Sequence, residues 1–186
     1  MKNQDPNQEH LQSIISLFNQ GQLQQALSES SQLLERFPNS VILYNIAGAC
    51  NAGLMQFDAA INNYKQALKI NPDFADAYNN MGNALKDKGD SEAAIESYKQ
   101  ALKIKPNYAQ AYNNIGIALK DKGDLEAAIE SYKQVLKIKP DYAEVYRNLS
   151  NIHRYKEHDE YFLKMQSLCQ SSSVSDEQRC HLNFAL

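Results

Sequence analysis

The sequence predicts an all-α chain of stacked helix pairs, and three observations carry that reading. Pro38, Pro72, Pro106 and Pro140 are each thirty-four residues apart. Residues 75–108 and 109–142 are identical at 28 of 34 positions. Within each copy the apolar residues recur in steps of three and four, the period of a helix and not the alternation of a strand. A fixed period of this length marks a chain built from copies of one supersecondary unit, each burying its apolar face on its neighbours. Such a chain offers a surface for binding rather than a pocket for chemistry.

The elements follow in chain order. Residues 1–6 are polar and expected to be a disordered N-terminus. Residues 7–40 form a first unit, LQSIISLFNQGQLQQALSESSQLLERF at its heart, Gln- and Ser-rich as suits a terminal unit with a polar outer face. Residues 41–74 form a second, closer copy. In the third, 75–108, the first helix is predicted over Ala75–Asp87 and the second over Ser91–Lys105. Gly89 takes a left-handed backbone at low cost and ends the first helix. Asp90 then caps the free amides of the second. Glu92 early, and Lys103 and Lys105 late, complement the helix dipole, and Pro106 stops the helix. The same signals recur in residues 109–142 at Gly123, Asp124, Glu126, Lys137, Lys139 and Pro140.

Ala77, Tyr78, Met81, Ala84 and Leu85 share one face of the first helix; Ala94, Ile95, Tyr98, Ala101 and Leu102 share one face of the second. Gly82 and Gly116 lie inside first helices, where glycine costs about 1 kcal/mol against alanine. Close approach of the paired helix accounts for them, with the small Ala94 and Ala128 expected opposite. A fifth, divergent unit spans 143–170. It begins normally with Tyr146 and Leu149, then loses the turn glycine, carries His153 at a usual apolar position and has a short second helix, YFLKMQSLCQ. Residues 171–175 read as a linker. Ser175, with Gln178 three residues on, caps a last helix over 176–186, expected to be cut short because no stop signal follows.

These residues resemble the tetratricopeptide repeat (TPR). That unit has an aromatic at position 4, large apolar residues at 7 and 11, Gly at 8, Ala at 20 and 27, an aromatic at 24 and Pro at 32. In the third unit these are Tyr78, Met81, Leu85, Gly82, Ala94, Ala101, Tyr98 and Pro106. The fourth has Tyr112, Ile115, Gly116, Leu119, Ala128, Tyr132, Val135 and Pro140; the second keeps Tyr44, Gly48, Ala60, Tyr64, Ala67 and Pro72; the first keeps Leu17, Ala26 and Pro38. The resemblance implies a TPR-type helix-pair solenoid, a right-handed superhelix whose concave face, lined by first helices, holds an extended peptide or a partner's helix. The stretch from YRNLSNIHRYK through LNFAL resembles the end of the repeat array in bacterial TPR–sulfotransferase fusion proteins.

Composition excludes several classes. A formal net charge of −3 argues against a general nucleic-acid binder. No apolar run approaches the twenty residues that span a bilayer, and the polar start lacks a secretory signal. Three cysteines make no disulfide framework and fit a reducing compartment. The chain is expected to be cytoplasmic. No catalytic residue, metal site or cofactor is expected: His153 and His158 are five apart, Cys180 and His181 are adjacent, and no phosphate-binding glycine loop occurs. The tyrosines occupy fixed repeat positions, which makes them packing residues and not a stacking platform for bases.

The asparagines are the candidate site. Asn45, Asn79 and Asn113 form one series at thirty-four-residue spacing; Asn80, Asn114 and Asn148 form another. Both fall on first helices, off the apolar face. An amide donates and accepts, so a ladder of them can hold a peptide backbone of any sequence; a similar asparagine ladder is a feature of repeat-bearing protein glycosyltransferases. The other reading is that recent duplication copied polar surface residues. Asn83, Arg147 and Asn151 complete the peptide-binding set. Chaperone-binding relatives clamp a carboxylate with Lys at position 5; here that position is Asn in three units, and only Arg147 with Asn151 approaches the pattern. The chain is therefore expected to be a non-catalytic protein- or peptide-binding scaffold. The alternative is the substrate-recognition arm of a larger sulfotransferase or glycosyltransferase. Self-association through the last helix, at Phe184 and Leu186, is a further possible partner mode.

Overall fold

The computed structural model describes residues 5–152, 160–170, 175–176 and 179. Among them are ten α-helices and no strand. The chain divides into two compact units, Met1–Pro106 and Asn107–Leu186.

The first unit holds α1 (Gln8–Asn19), α2 (Leu23–Arg36), α3 (Val41–Gly53), α4 (Phe57–Ile70), α5 (Ala75–Lys88) and α6 (Ser91–Ile104). Each odd helix pairs with the next, α2 packs on α3 and α4 on α5. The first helices α1, α3 and α5 also touch in sequence. The second unit holds α7 (Ala109–Asp121), α8 (Leu125–Ile138), α9 (Ala143–Ser150) and α10 (Glu160–Cys169). The predicted helices of the third repeat match α5 and α6 to within a residue.

The local signals work as the sequence implies. Gly89 caps α5 in the left-handed region at φ 99°, and its N–H bonds back to Lys86 and Leu85 carbonyls. Asp90 accepts from the Ala93 amide at 3.0 Å and Asp124 from the Ala127 amide at 3.2 Å. Gly21 and Gly123 repeat the left-handed turn at φ 75° and 84°. At the same register the second repeat carries Met55, held at φ 60° with its side chain largely exposed. A Cβ at positive φ crowds the following carbonyl, so this turn is strained where the other three are not.

The helix glycines sit against tyrosine rings, not against the alanines expected opposite them. A Cβ on Gly48, Gly82 or Gly116 would lie 2.5, 2.4 or 2.5 Å from the ring of Tyr64, Tyr98 or Tyr132 respectively. Those three rings are fully buried, as are Ala94 and Ala128. Burial pushes all three phenols above the ordinary tyrosine range. The Tyr98 hydroxyl donates to Asn83 Oδ1 at 2.8 Å, while the Tyr132 hydroxyl is buried without a partner. The position-4 tyrosines are less enclosed: Tyr44, Tyr78 and Tyr112 are half-buried and Tyr146 is buried.

The ends differ in kind. Pro6 is buried and Asp5 accepts a hydrogen bond from the Ser40 hydroxyl, so this part of the N-terminal tail is tied to the start of α3. Asn7 caps α1 through the His10 amide at 3.0 Å. In the second unit a core of Tyr132, Val135, Leu136, Val145, Leu149, Met165 and Leu168 joins α8, α9 and α10. His153, His158, Cys180, His181 and the apolar residues of the predicted last helix, Phe184 and Leu186 included, lie outside the described residues.

Two substitutions test this packing. Met55→Gly should raise stability by roughly 0.5–1 kcal/mol, read as a higher denaturation midpoint, because it relieves the left-handed strain. Gly82→Ala should lower it by about 1–2 kcal/mol. The overpacking cost against a buried ring, about 1–3 kcal/mol, outweighs the gain in helix propensity of up to about 1 kcal/mol. A stabilised Gly82→Ala chain would show that Tyr98 can retreat.

Candidate binding surface

The predicted site residues fall on the first helix of each pair. In the first unit α3 carries Asn45, and α5 carries Asn79, Asn80 and Asn83. In the second, α7 carries Asn113 and Asn114, α9 carries Arg147 and Asn148, and Asn151 is the C-cap of α9. The apolar spacing puts the amides off the buried face, as open surface. Four are instead enclosed: Asn79, Asn113, Asn114 and Asn148 are 4, 1, 7 and 6 % exposed. Asn45, Asn80, Asn83 and Arg147 are half-buried, and Asn151 is exposed. In the first unit the reason is visible. First helices α3 and α5 touch, and the amides meet where they do.

There the amides satisfy one another. Asn80 Nδ2 donates to Asn45 Oδ1 at 3.1 Å, joining α5 to α3, and Asn79 Nδ2 donates to Asn80 Oδ1 at 3.5 Å. In the second unit Gln110 Nε2 donates to Asn114 Oδ1 at 3.2 Å, and the Tyr142 hydroxyl to Gln110 Oε1 at 3.3 Å. Sequence reasoning misses Tyr142 here, because its repeat position assigns it to packing. Asn113 and Asn148 stand two repeat lengths on from Asn45 and Asn80. Yet Asn113 Oδ1 and Asn148 Nδ2 are both buried with no hydrogen-bond partner. The rung that the first unit closes is open in the second, on the same acceptor and the same donor. A buried polar atom left unpaired costs about 1–3 kcal/mol, so this open rung is a place where added partners would be favourable.

The surface offers hydrogen bonding and little else. The Cys50 thiol is buried, which pushes its pKa up to about 11, and it stays protonated and unreactive at neutral pH. Among the described residues no three His, Cys, Asp or Glu side chains cluster as metal ligands, and no helix is long and apolar enough to cross a membrane.

A pair of double-mutant cycles reads the rungs in the free chain. Coupling between Asn45→Ala and Asn80→Ala should be about 0.5–1.5 kcal/mol, the worth of one net hydrogen bond. Coupling between Asn113→Ala and Asn148→Ala should be near zero. Equal couplings would mean that both rungs close in solution.

The family model described as "TPR repeat" matches residues 56–89, 82–123 and 118–153, more than half of the chain. A second, "Tetratricopeptide repeat", matches residues 11–40. No curated protein matches the chain. Solved structures do. TTC0263, a thermophilic TPR protein in Thermus thermophilus, has a TM-score of 0.73 at 20 % identity, over 96 % of this chain and 97 % of that one. MamA 41-end from Desulfovibrio magneticus RS-1 has a TM-score of 0.72 at 18 % identity, over 90 % and 95 %. YrrB, described as a TPR protein with an unusual peptide-binding site, has a TM-score of 0.64 at 18 % identity, over 98 % and 94 %. At such identities the likeness speaks for the fold alone, and it agrees with the repeat matches: this chain belongs to the tetratricopeptide-repeat family.

Proposed function

We propose that the chain is a non-catalytic protein-binding module that holds an extended peptide on the asparagines of its first helices. The observation that carries this reading is the open rung at Asn113 Oδ1 and Asn148 Nδ2. One atom needs a donor and the other an acceptor. A peptide group carries one N–H and one C=O, so a single backbone unit of a ligand supplies both. The two atoms are sealed in the free chain, so engagement requires the amides to rotate outward about their side-chain torsions. Neither atom gives up a hydrogen bond in that rotation.

In the first unit Asn45, Asn79 and Asn80 already bond one another. A ligand there would have to replace those contacts, and net gain is small. In the second unit Asn113 and Asn148 therefore carry most of the affinity, with Asn114 beside them and Arg147 and the exposed Asn151 adding preference for an acidic neighbour. Recognition through backbone groups favours extended ligands over a strict sequence motif. The fold kinship with YrrB supports a peptide ligand in general, not the identity of one.

The test is peptide display selected on this chain, followed by titration of the best binder. The double variant Asn113→Ala/Asn148→Ala should bind at least tenfold more weakly with helicity retained. Asn45→Ala/Asn80→Ala should change affinity less than threefold. The opposite ranking, or no effect from either, would remove the ladder as the working surface.

A further inference from the structure

A second feature of the Asn107–Leu186 unit has no part in the asparagine ladder. A cavity of about 680 Å³ opens between α8 and α10. Its apolar lining is Leu136, Pro140, Tyr146, Tyr161 and Leu163; Lys133, Lys137, Lys164, Glu160 and Ser167 also line it. No ladder asparagine is among these residues.

The charges are unusual for this chain. Three lysines face one carboxylate, a local excess of two positive charges in a protein of net charge −3. Lys133 and Lys137 are four residues apart on one face of α8, and Lys137 lies in its last turn. Among the described residues none of the three lysines takes part in an ion pair, in contrast to Lys86 with Asp87 and Lys88 with Asp58. Of the apolar lining, Leu136 and Tyr146 are buried and Leu163 is open to a partner. Leu163 is 52 % accessible, among the most exposed large apolar side chains described. Tyr146 and Tyr161 meet at a tilted angle with centroids 6.4 Å apart, and the Tyr146 hydroxyl is occupied by the Pro140 carbonyl at 2.7 Å. Tyr146 is buried, and Tyr161 is partly buried beside it.

An apolar lining beside a net basic charge is the arrangement that recognises a short segment with both an acidic flank and an apolar anchor. A volume of this size takes one large side chain and its neighbours.

We propose that this cavity is a docking site for an acidic peptide segment of a partner protein. Its carboxylates meet Lys133, Lys137 and Lys164, and one aromatic side chain enters beside Tyr161 and Leu163. The site is independent of the asparagine ladder, so the failure of one reading leaves the other standing.

Fluorescence anisotropy of the full chain with the labelled peptide EEDFEDE tests it at low salt. The expected result is saturable binding that weakens as NaCl rises from about 50 to 200 mM, because exposed charge pairs are screened. Lys133→Glu/Lys137→Glu should weaken it at least tenfold, and so should Lys164→Glu on the other helix. Lys99→Glu/Lys103→Glu, the same register one repeat earlier, should bind as the parent does. The peptide EEDAEDE should bind at least fivefold more weakly, a difference that Leu163→Ser should reduce. Equal losses in both double variants would reveal a general charge effect and overturn the site. Binding of the neutral peptide QQNFQNQ as tight as the acidic one would overturn it, as would no binding at all. Full displacement by micromolar pyrophosphate would point to a small-anion site and overturn the peptide assignment. Circular dichroism of each variant confirms that the helices persist.

Discussion

The contact on which each complete repeat depends is a tyrosine ring lying on a helix with no side chain beneath it. It occurs at Gly48 with Tyr64, Gly82 with Tyr98 and Gly116 with Tyr132. Glycine lets the second helix come close enough for the ring to be wholly buried, and the ring then fills the space a Cβ would take. Neither residue makes sense alone. Glycine in a helix interior costs stability, and a buried phenol needs room and a partner for its hydroxyl. Together they bury a large apolar area and fix the separation of the pair. The flanking alanines at 94 and 128, fully buried, make the same close packing possible along the rest of the contact.

Once the helices of a pair are held this close, repetition governs what remains. A side chain copied every thirty-four residues meets its own kind on the next unit. For apolar residues that builds a core. For asparagine it pairs a donor with an acceptor, as in the bond from Asn80 to Asn45. A ladder of amides in a repeat protein is therefore self-satisfying by default, and its presence alone says little about a ligand. What distinguishes one copy from another is where it fails to find its counterpart, as Asn113 and Asn148 do.

This explains which parts could be read from the sequence. The helix pairs, their limits and the caps at Gly89, Asp90 and Asp124 follow from local residue chemistry, which acts within four or five positions. The packing partner of the helix glycines did not follow. Apolar spacing assigns both Tyr98 and Ala94 to the buried face of α6, and only the rotation of α6 on α5 decides which of them lies over Gly82. The enclosure of the asparagines was hidden for a similar reason. They sit off the face that packs within a pair, and the sequence does not say how near the next first helix comes. Met55 was legible in principle, since it stands at the register of Gly21, Gly89 and Gly123, but the repeat match draws attention to what is kept.

The divergent fifth repeat shows how a surface changes when a copy is imperfect. In α4, α6 and α8 the second helix has an acidic residue early and a lysine late, a pattern that serves the helix dipole. On α8 the lysines Lys133 and Lys137 border a cavity, and the second helix that follows carries a different sequence. The lysines need no change to acquire a role. Only their surroundings differ from those of a regular repeat. The same holds for Asn113, whose type is unchanged from Asn45 but whose oxygen is left without a donor. Residue type is inherited through duplication, whereas availability to a partner is set by the neighbour. In a repeat chain, the residues that do the binding can therefore be identical to those that do not.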